Sequence, residues 1–371
     1  MTPNVLFTRD SATVRLLALV ASLYSPRLLT VDLNMFSKPI NWLCVLSLAV
    51  IFAPNSARAE TWAGLLSDVL GYLNMDRAHL RDKLHSGEII YAGMPEHEDL
   101  PEQLAVGGTL MLIPKPSGQE IVQKFLNAEG LTKHAGSETL AIFQEDSSAP
   151  FGSASLPTTE WAAITSPSAS ETFNLSAAEA QMLQKNVHQF KQAYEALLYG
   201  RFRSYYHEGL AGIRPYERPR KTDDPSLEIR TALAGFTFLD KHFPTLRESI
   251  LGKPVASIDQ EQFFLLHESE INNKPMHMLS RQIFEITGDW GIGADLQFYA
   301  THGLNAGFVL MGVVPYQQGS LVFALFHVFT NEVLGFGSSL KKRVGRARAN
   351  ELIASYFESV RQQLDASAEE N

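Results

Sequence analysis

Cysteine is almost absent: Cys44 is the only one in 371 residues, and it lies in an apolar run near the N-terminus. One thiol excludes an internal disulfide, a C-x-x-C redox centre and any cysteine-rich metal site. The residues before it, Asn41-Trp42-Leu43, are not the small ones that precede an acylated lipoprotein cysteine. Charge is also sparse, at 19% of residues with a formal net of -9. That balance excludes a general nucleic-acid binder. The motifs of common enzymes are missing as well. H-E-x-x-H, G-x-S-x-G and the Walker spacing do not occur, and "GFGSSLKKRVG" is not a P-loop. No catalytic constellation, resident cofactor or metal is expected, and the enzyme reading stays as an alternative.

What is there begins with an export signal. From Met35, Lys38 is a short positive region, Ile40 to Ala53 an apolar run, and Ala57-Arg58-Ala59 a small-residue cleavage site. Residues 1–59 are thus expected to be leader and signal peptide, with Met35 the initiator and Glu60 the mature start. The expected location is the periplasm or the exterior, or a membrane anchor if the signal stays on. This segment carries five Lys/Arg and two Asp/Glu, so its loss takes the net charge from -9 to -12.

Residues 60–145 read as a helix carrying Leu65, Leu66, Val69 and Leu70 at helical spacing, then a strand-helix unit. "LAVGGTLMLIP" is the strand, and Ser117 with Glu120 is a capping box for a helix from Gly118 to about Ala128. Of the 27 residues in 146–172, 15 are Ser, Thr, Pro or Gly, the composition of a loop or linker, taken as 146–173. Trp161 and Ile164 hint that part of it packs. Residues 174–252 are helical. Ser176 and Glu179 cap one helix whose face runs through Leu183, Val187, Phe190, Tyr194, Leu197 and Leu198. Asp224-Pro225 starts another carrying Leu227 and Leu233. Residues 253–371 alternate strands (near 262–271, 276–286, 294–301, 306–314 and 320–330) with short Asn/Gly/Pro links. This is an antiparallel meander followed by a helix over 338–364.

The nine residues "LVFALFHVF", Leu321 to Phe329, are apolar on both sides of a strand apart from His327. Leu321, Phe323, Leu325, His327 and Phe329 share one face, and Val322, Ala324, Phe326 and Val328 the other. Two covers are therefore expected: the C-terminal helix on one face, and residues 174–252 or another chain on the other.

Strand, short helix, antiparallel strands and long terminal helix resemble, in order, the helix-grip fold of START-like lipid-transfer and aromatase/cyclase domains. The matching segments are "GGTLMLIPKPSGQEIVQKFLN" and "GFGSSLKKRVGRARANELIASYFESVRQQL". The likeness covers 104–144 and 260–364, with 174–252 as a helical insertion; the whole has the look of a secreted bacterial protein. The resemblance implies an α+β fold, a curved antiparallel sheet gripping the C-terminal helix, and an apolar cavity between them. The expected function is binding or carrying an apolar or amphipathic, lipid-like molecule. An envelope interaction protein or an oligomer is the alternative that needs no small ligand.

The expected ligand-binding residues follow. His277 and Arg281 share a strand face with Glu285. His327 shares one with Phe323 and Phe329. In "YYHEGLAGIRPYERPRK", Arg214 and Tyr216 stand among further arginines suited to an anionic lipid head group. A second basic run, Lys341-Lys342-Arg343 with Arg346 and Arg348, opens the C-terminal helix, where it suits an acidic lipid surface, a phosphate or plain solvation. His267, His277, His302 and His327 lack zinc-ligand spacing.

Overall fold

The computed structural model describes residues 55–75, 82–93, 104–115, 118–127, 137–144, 146–252, 254, 260–271, 273–334 and 338–369. Residues 1–54 of the expected leader (1–59), and Ser117 of the expected capping box, lie outside these. The expected cleavage point after Ala59 falls within helix α1, Asn55–Tyr72.

The fold is α+β, built on one eight-stranded sheet. Its strands are β1 (Ile90–Gly93), β2 (Leu104–Ile113), β3 (Glu138–Phe143), β6 (Glu261–Ile271), β7 (Lys274–Thr287), β8 (Trp290–Ala300), β9 (Ala306–Tyr316) and β10 (Gly319–Phe329). A separate pair, β4 (Tyr216–Glu217) and β5 (Thr222–Asp223), makes a small hairpin. The sheet order is β1-β2-β10-β9-β8-β7-β6-β3, with every pair antiparallel. The five long strands form the expected meander. Three of its links are short turns in which a residue takes positive φ: Asn273 (60°) after β6, Gly288 (60°) after β7 and Gln317 (55°) after β9. The last strand returns to pair with β2, so β2 and β3, close in sequence, end near opposite edges.

Both faces of the sheet are covered, which is why β10 does not alternate. Leu321, Phe323, Leu325 and Phe329 join the core under the helical block, while Val322 and Ala324 join the core under the terminal helix α10, Ser338–Glu369. Phe323 lies across its cross-strand partner Gly312, where a Cβ would come within 2.3 Å of the ring. Glycine there gives the aromatic ring its seat.

The helical face holds α1 and the expected linker as well as the block. The linker reading needs correction. Residues 146–173 contain a 3-10 turn (Ala149–Ser153) and helices α3 (Thr158–Ile164) and α4 (Ala169–Thr172). Phe151, Trp161, Ile164 and Ala169 are all buried, because each lies against an aromatic or aliphatic partner. Phe151 sits edge-on to Phe143 at 5.5 Å, and Trp161 meets Phe190 at 5.0 Å. Next come α5 (Ala177–Lys185), α6 (Phe190–Glu208), α7 (Pro225–Gly235), α8 (Thr237–His242) and α9 (Pro244–Leu251). The Ser176/Glu179 capping box forms with both bonds, and Asp224 caps α7 by accepting from Leu227 N–H. Asn186 to Gln189 break the expected single helix, and the change of phase leaves Val187 and Phe190 exposed. Leu227, in the first turn of α7, is 61% exposed and is no part of the core.

On the other face, α2 (Gln119–Phe125) and α10 pack together. Gly118 is the N-cap of α2 and makes no side-chain cap, and the helix stops three residues short of Ala128. The Tyr356 hydroxyl donates to Phe125 C=O at 2.7 Å and so ties α10 to an orphan carbonyl at that end. Tyr356, Phe357, Val360 and Leu364 are the buried stripe of α10, whereas Leu340 and Val344, apolar residues of its first turns, are exposed. Residues Asn55–Asn371 form a single compact unit.

Candidate functional site

The seven residues expected to bind a ligand do not converge. His277 is buried under α6: its Nδ1 bonds the Tyr194 hydroxyl at 2.7 Å, and its Nε2 lies 3.0 Å from Glu268 Oε2 without hydrogen-bond alignment. Burial, then His302 nearby, lowers its pKa to about 4. Arg281 is 1% exposed and holds elements together. Its Nε and one terminal nitrogen donate to Gln262 Oε1 (3.2 and 2.9 Å), the other to Ser249 C=O (2.9 Å) at the end of α9. His327 packs on Phe236 (centroids 4.6 Å apart) and bonds the Tyr72 hydroxyl. Burial lowers its pKa to about 3, and its Nδ1 has no partner. Phe323 and Phe329 are core residues of the helical face.

Arg214 and Tyr216 also have structural work. Tyr216 is fully buried, donates to Asn305 C=O at 3.0 Å and lies beneath the guanidinium of Arg201 at 5.2 Å. Arg201, only 3% exposed, pairs with Glu179 at 2.5 Å, and Arg214 reaches the same carboxylate at 3.5 Å. The Glu179 carboxylate thus caps α5 and neutralises a buried arginine, a charge that burial would otherwise make costly.

A cleft of about 690 Å³ opens instead where the β4–β5 hairpin meets the ends of β6, β7 and β8. Arg218 forms part of its wall and is saturated. Its Nε donates to Asp223 Oδ2 (2.9 Å), one terminal nitrogen to Ser170 and Phe173 carbonyls (3.2 and 2.9 Å), and the other to Asn174 Oδ1. Lys221 is held by Asp223 (2.7 Å) and Asn331 Oδ1 (2.8 Å). Burial raises the Asp223 carboxyl's pKa, but bonds from Lys221, Arg218 and Asn331 outweigh it and the pKa falls.

His302 is the unusual member of this cleft. Its ring stacks on Phe173 (5.7 Å, 2° between planes), it is 4% exposed, and neither ring nitrogen has a hydrogen-bond partner. Burial, then the Lys274 ammonium, lowers its pKa to about 4. Gly303 follows with φ of 72°, a left-handed conformation that turns the chain beside Ile271. Leaving both nitrogens of a buried imidazole unpaired costs about 1–3 kcal/mol per atom. Groups of that kind cluster where a ligand supplies the missing partner. Arg220 and Lys274 line the same cleft, as do the exposed Glu171 and Glu332, and none of the four is ion-paired among the described residues. Sequence reasoning reached the Arg218–Lys221 segment but missed His302 and Lys274, because only folding brings residues 30 to 80 positions apart to one wall.

A second polar group lies on the other face of the sheet. Gln282 and Ser280 alternate with Phe284, and Asp295 with Gly293, so they face the α2–α10 side. His267 Nε2 meets Ser280 Oγ at 2.9 Å. Burial lowers the His267 pKa to about 3 and raises that of Asp295 to about 6, against hydrogen bonds from Ser280, Gln297 and Gln282. His267 Nδ1, Asp295 Oδ1 and both amide atoms of Gln282 have no aligned partner. This is not a hydrolase triad. The acid lies on the serine side, and no carboxylate orients the histidine. Among the described residues no three His, Cys, Asp or Glu side chains converge as a metal site, and no helix is long and apolar enough to cross a membrane.

No protein-family model matches the chain, and no curated protein or solved structure is significantly similar to it.

Proposed function

We propose that this is an exported protein that binds and carries a small amphipathic molecule, with the anionic end of the ligand held in the cleft at the strand ends. The observation that carries this reading is His302, a buried imidazole with two unpaired nitrogens in a cleft beside the Lys274 ammonium. A carboxylate or phosphate there would accept from His302 and Lys274, and Arg220 adds a second unpaired cation on the cleft wall. Pro219, Ile271 and Leu334 offer the apolar wall for the start of a tail. The strand order supports the helix-grip likeness, since β2 lies beside the last strand and β3 at the far edge.

Titration calorimetry with inorganic phosphate, laurate and dodecyl phosphate tests the reading. Dodecyl phosphate should bind more tightly than phosphate. Lys274→Gln with Arg220→Gln should weaken it roughly tenfold or more, about 1.4 kcal/mol. Unchanged affinity in that double variant would sink the cleft as the site. A second reading has its own observation: the unpaired atoms of His267, Gln282 and Asp295 lie between two apolar clusters on the α2–α10 side. A ligand held there, beneath the gripping sheet, would lose affinity in Gln282→Leu and not in the Lys274 variant.

A further inference from the structure

The first half of α10 is built differently from the second. At 3.6 residues per turn, Leu340, Val344 and Ala347 fall on one strip. Lys341 and Arg348 run along one flank of that strip and Arg343 along the other. All six are exposed, Leu340 by 55% and Val344 by 59%. Lys342 and Arg346 point to the protein side and are half-buried. From Ser338 to Asn350 there is no acid; the first is Glu351, one turn beyond Ala347. Lys341 donates to Leu334 C=O at 3.0 Å, and among the described residues neither it, Arg343 nor Arg348 has an ion-pair partner. The whole chain, by contrast, has a net charge of -9.

An apolar strip between two cationic flanks has the make-up of a helix that lies in a bilayer interface. We propose that this half of α10 docks the protein on an anionic lipid surface, with Leu340 and Val344 entering the headgroup boundary and Lys341, Arg343 and Arg348 on lipid phosphates. Charge selects this occupant over a second copy of the chain, because a two-fold contact would set like cations against one another. Nucleic acid fits less well, because the centre of the strip is apolar and only three cations border it. The proposal does not depend on the cleft.

Cosedimentation of the full chain with vesicles tests it, using phosphatidylcholine alone and phosphatidylcholine mixed with phosphatidylglycerol. Binding should require phosphatidylglycerol and weaken with salt. The triple variant Lys341→Gln, Arg343→Gln, Arg348→Gln should bind roughly 10- to 100-fold more weakly. Leu340→Ser with Val344→Ser should weaken binding at every salt concentration. Comparison with the parent chain cancels any contribution from other segments, and because all five side chains are exposed, thermal unfolding should be unchanged. Full binding by either variant, equal binding to neutral vesicles, or no binding at all would overturn the proposal. So would a change of oligomeric mass in the Leu340/Val344 variant, which would make a second copy the occupant. The Lys274/Arg220 variant should keep vesicle binding, so failure of the cleft reading and failure of this one are separable.

Discussion

The two faces of the sheet differ in how they treat buried charge, although both keep some polar atoms unpaired. On the helical face, charges are buried but answered: Arg201 meets Glu179, and Arg281 spends its donors on Gln262, Ser249 and Tyr205. On the α2–α10 face the buried carboxyl of Asp295 has hydrogen bonds but, among the described residues, no cation beside it, and Asp295, Gln282 and His267 each keep at least one polar atom without an aligned partner. A satisfied buried charge stiffens a core, whereas an unsatisfied one is a standing cost that selection retains where something else pairs with it. The first face is therefore the frame of the molecule. The second, with the cleft around His302, carries the unpaired atoms on which the proposed ligand sites rest.

The largest effect should come from the frame. Phe202 is fully buried among Phe143, Phe151 and Phe264, with ring centroids 5.0 to 5.7 Å away. Phe202→Ala should cost about 3–5 kcal/mol by urea denaturation, the range for large cavities; a loss below 1 kcal/mol would show that this face is loosely packed. Asp295 should move stability the other way. Its pKa is raised on folding, so its favourable contribution is present below the unfolded value near 3.8 and is lost as pH rises through about 6. Asp295→Asn should therefore leave stability unchanged below pH 4 and raise it by about 1–3 kcal/mol at pH 8. Destabilisation at pH 8 would mean that the carboxylate is paired after all and would erase the contrast between the faces. The smallest effect should be at Leu227, exposed in the first turn of α7. Leu227→Ser should change stability by no more than about 0.5 kcal/mol, although its apolar spacing made it look like core.

Much of the fold was legible because long strands and capped helices carry local signals. Apolar runs bounded by short Asn/Gly/Pro links gave β6 to β10 to within a few residues, and Ser176/Glu179 and Asp224 announced their helices through backbone amides three positions away. The linker misled because Ser, Thr and Pro also start short helices, and Phe151 and Trp161 find partners far along the chain. The site was hardly legible. His277 and Arg281 stood out as polar residues in apolar strands, and that signal marks both ligand contacts and structural bonds. Which one it is depends on Tyr194, Gln262 and Ser249, residues no spacing rule connects to them. His302 stood out only as one of four histidines without zinc-ligand spacing.

By itself the sequence determined the order of the long strands and main helices, the two-sided burial of "LVFALFHVF" and the acidic, cysteine-poor character of the chain, because these depend on periodicity and composition. Only the tertiary structure decided that β10 pairs with β2, that the 146–173 segment joins the core, and that His302 is left without a partner beside Lys274. Pairing and desolvation are properties of residues brought together from distant positions, and a histidine acquires an unusual charge state only when water has been removed from around it.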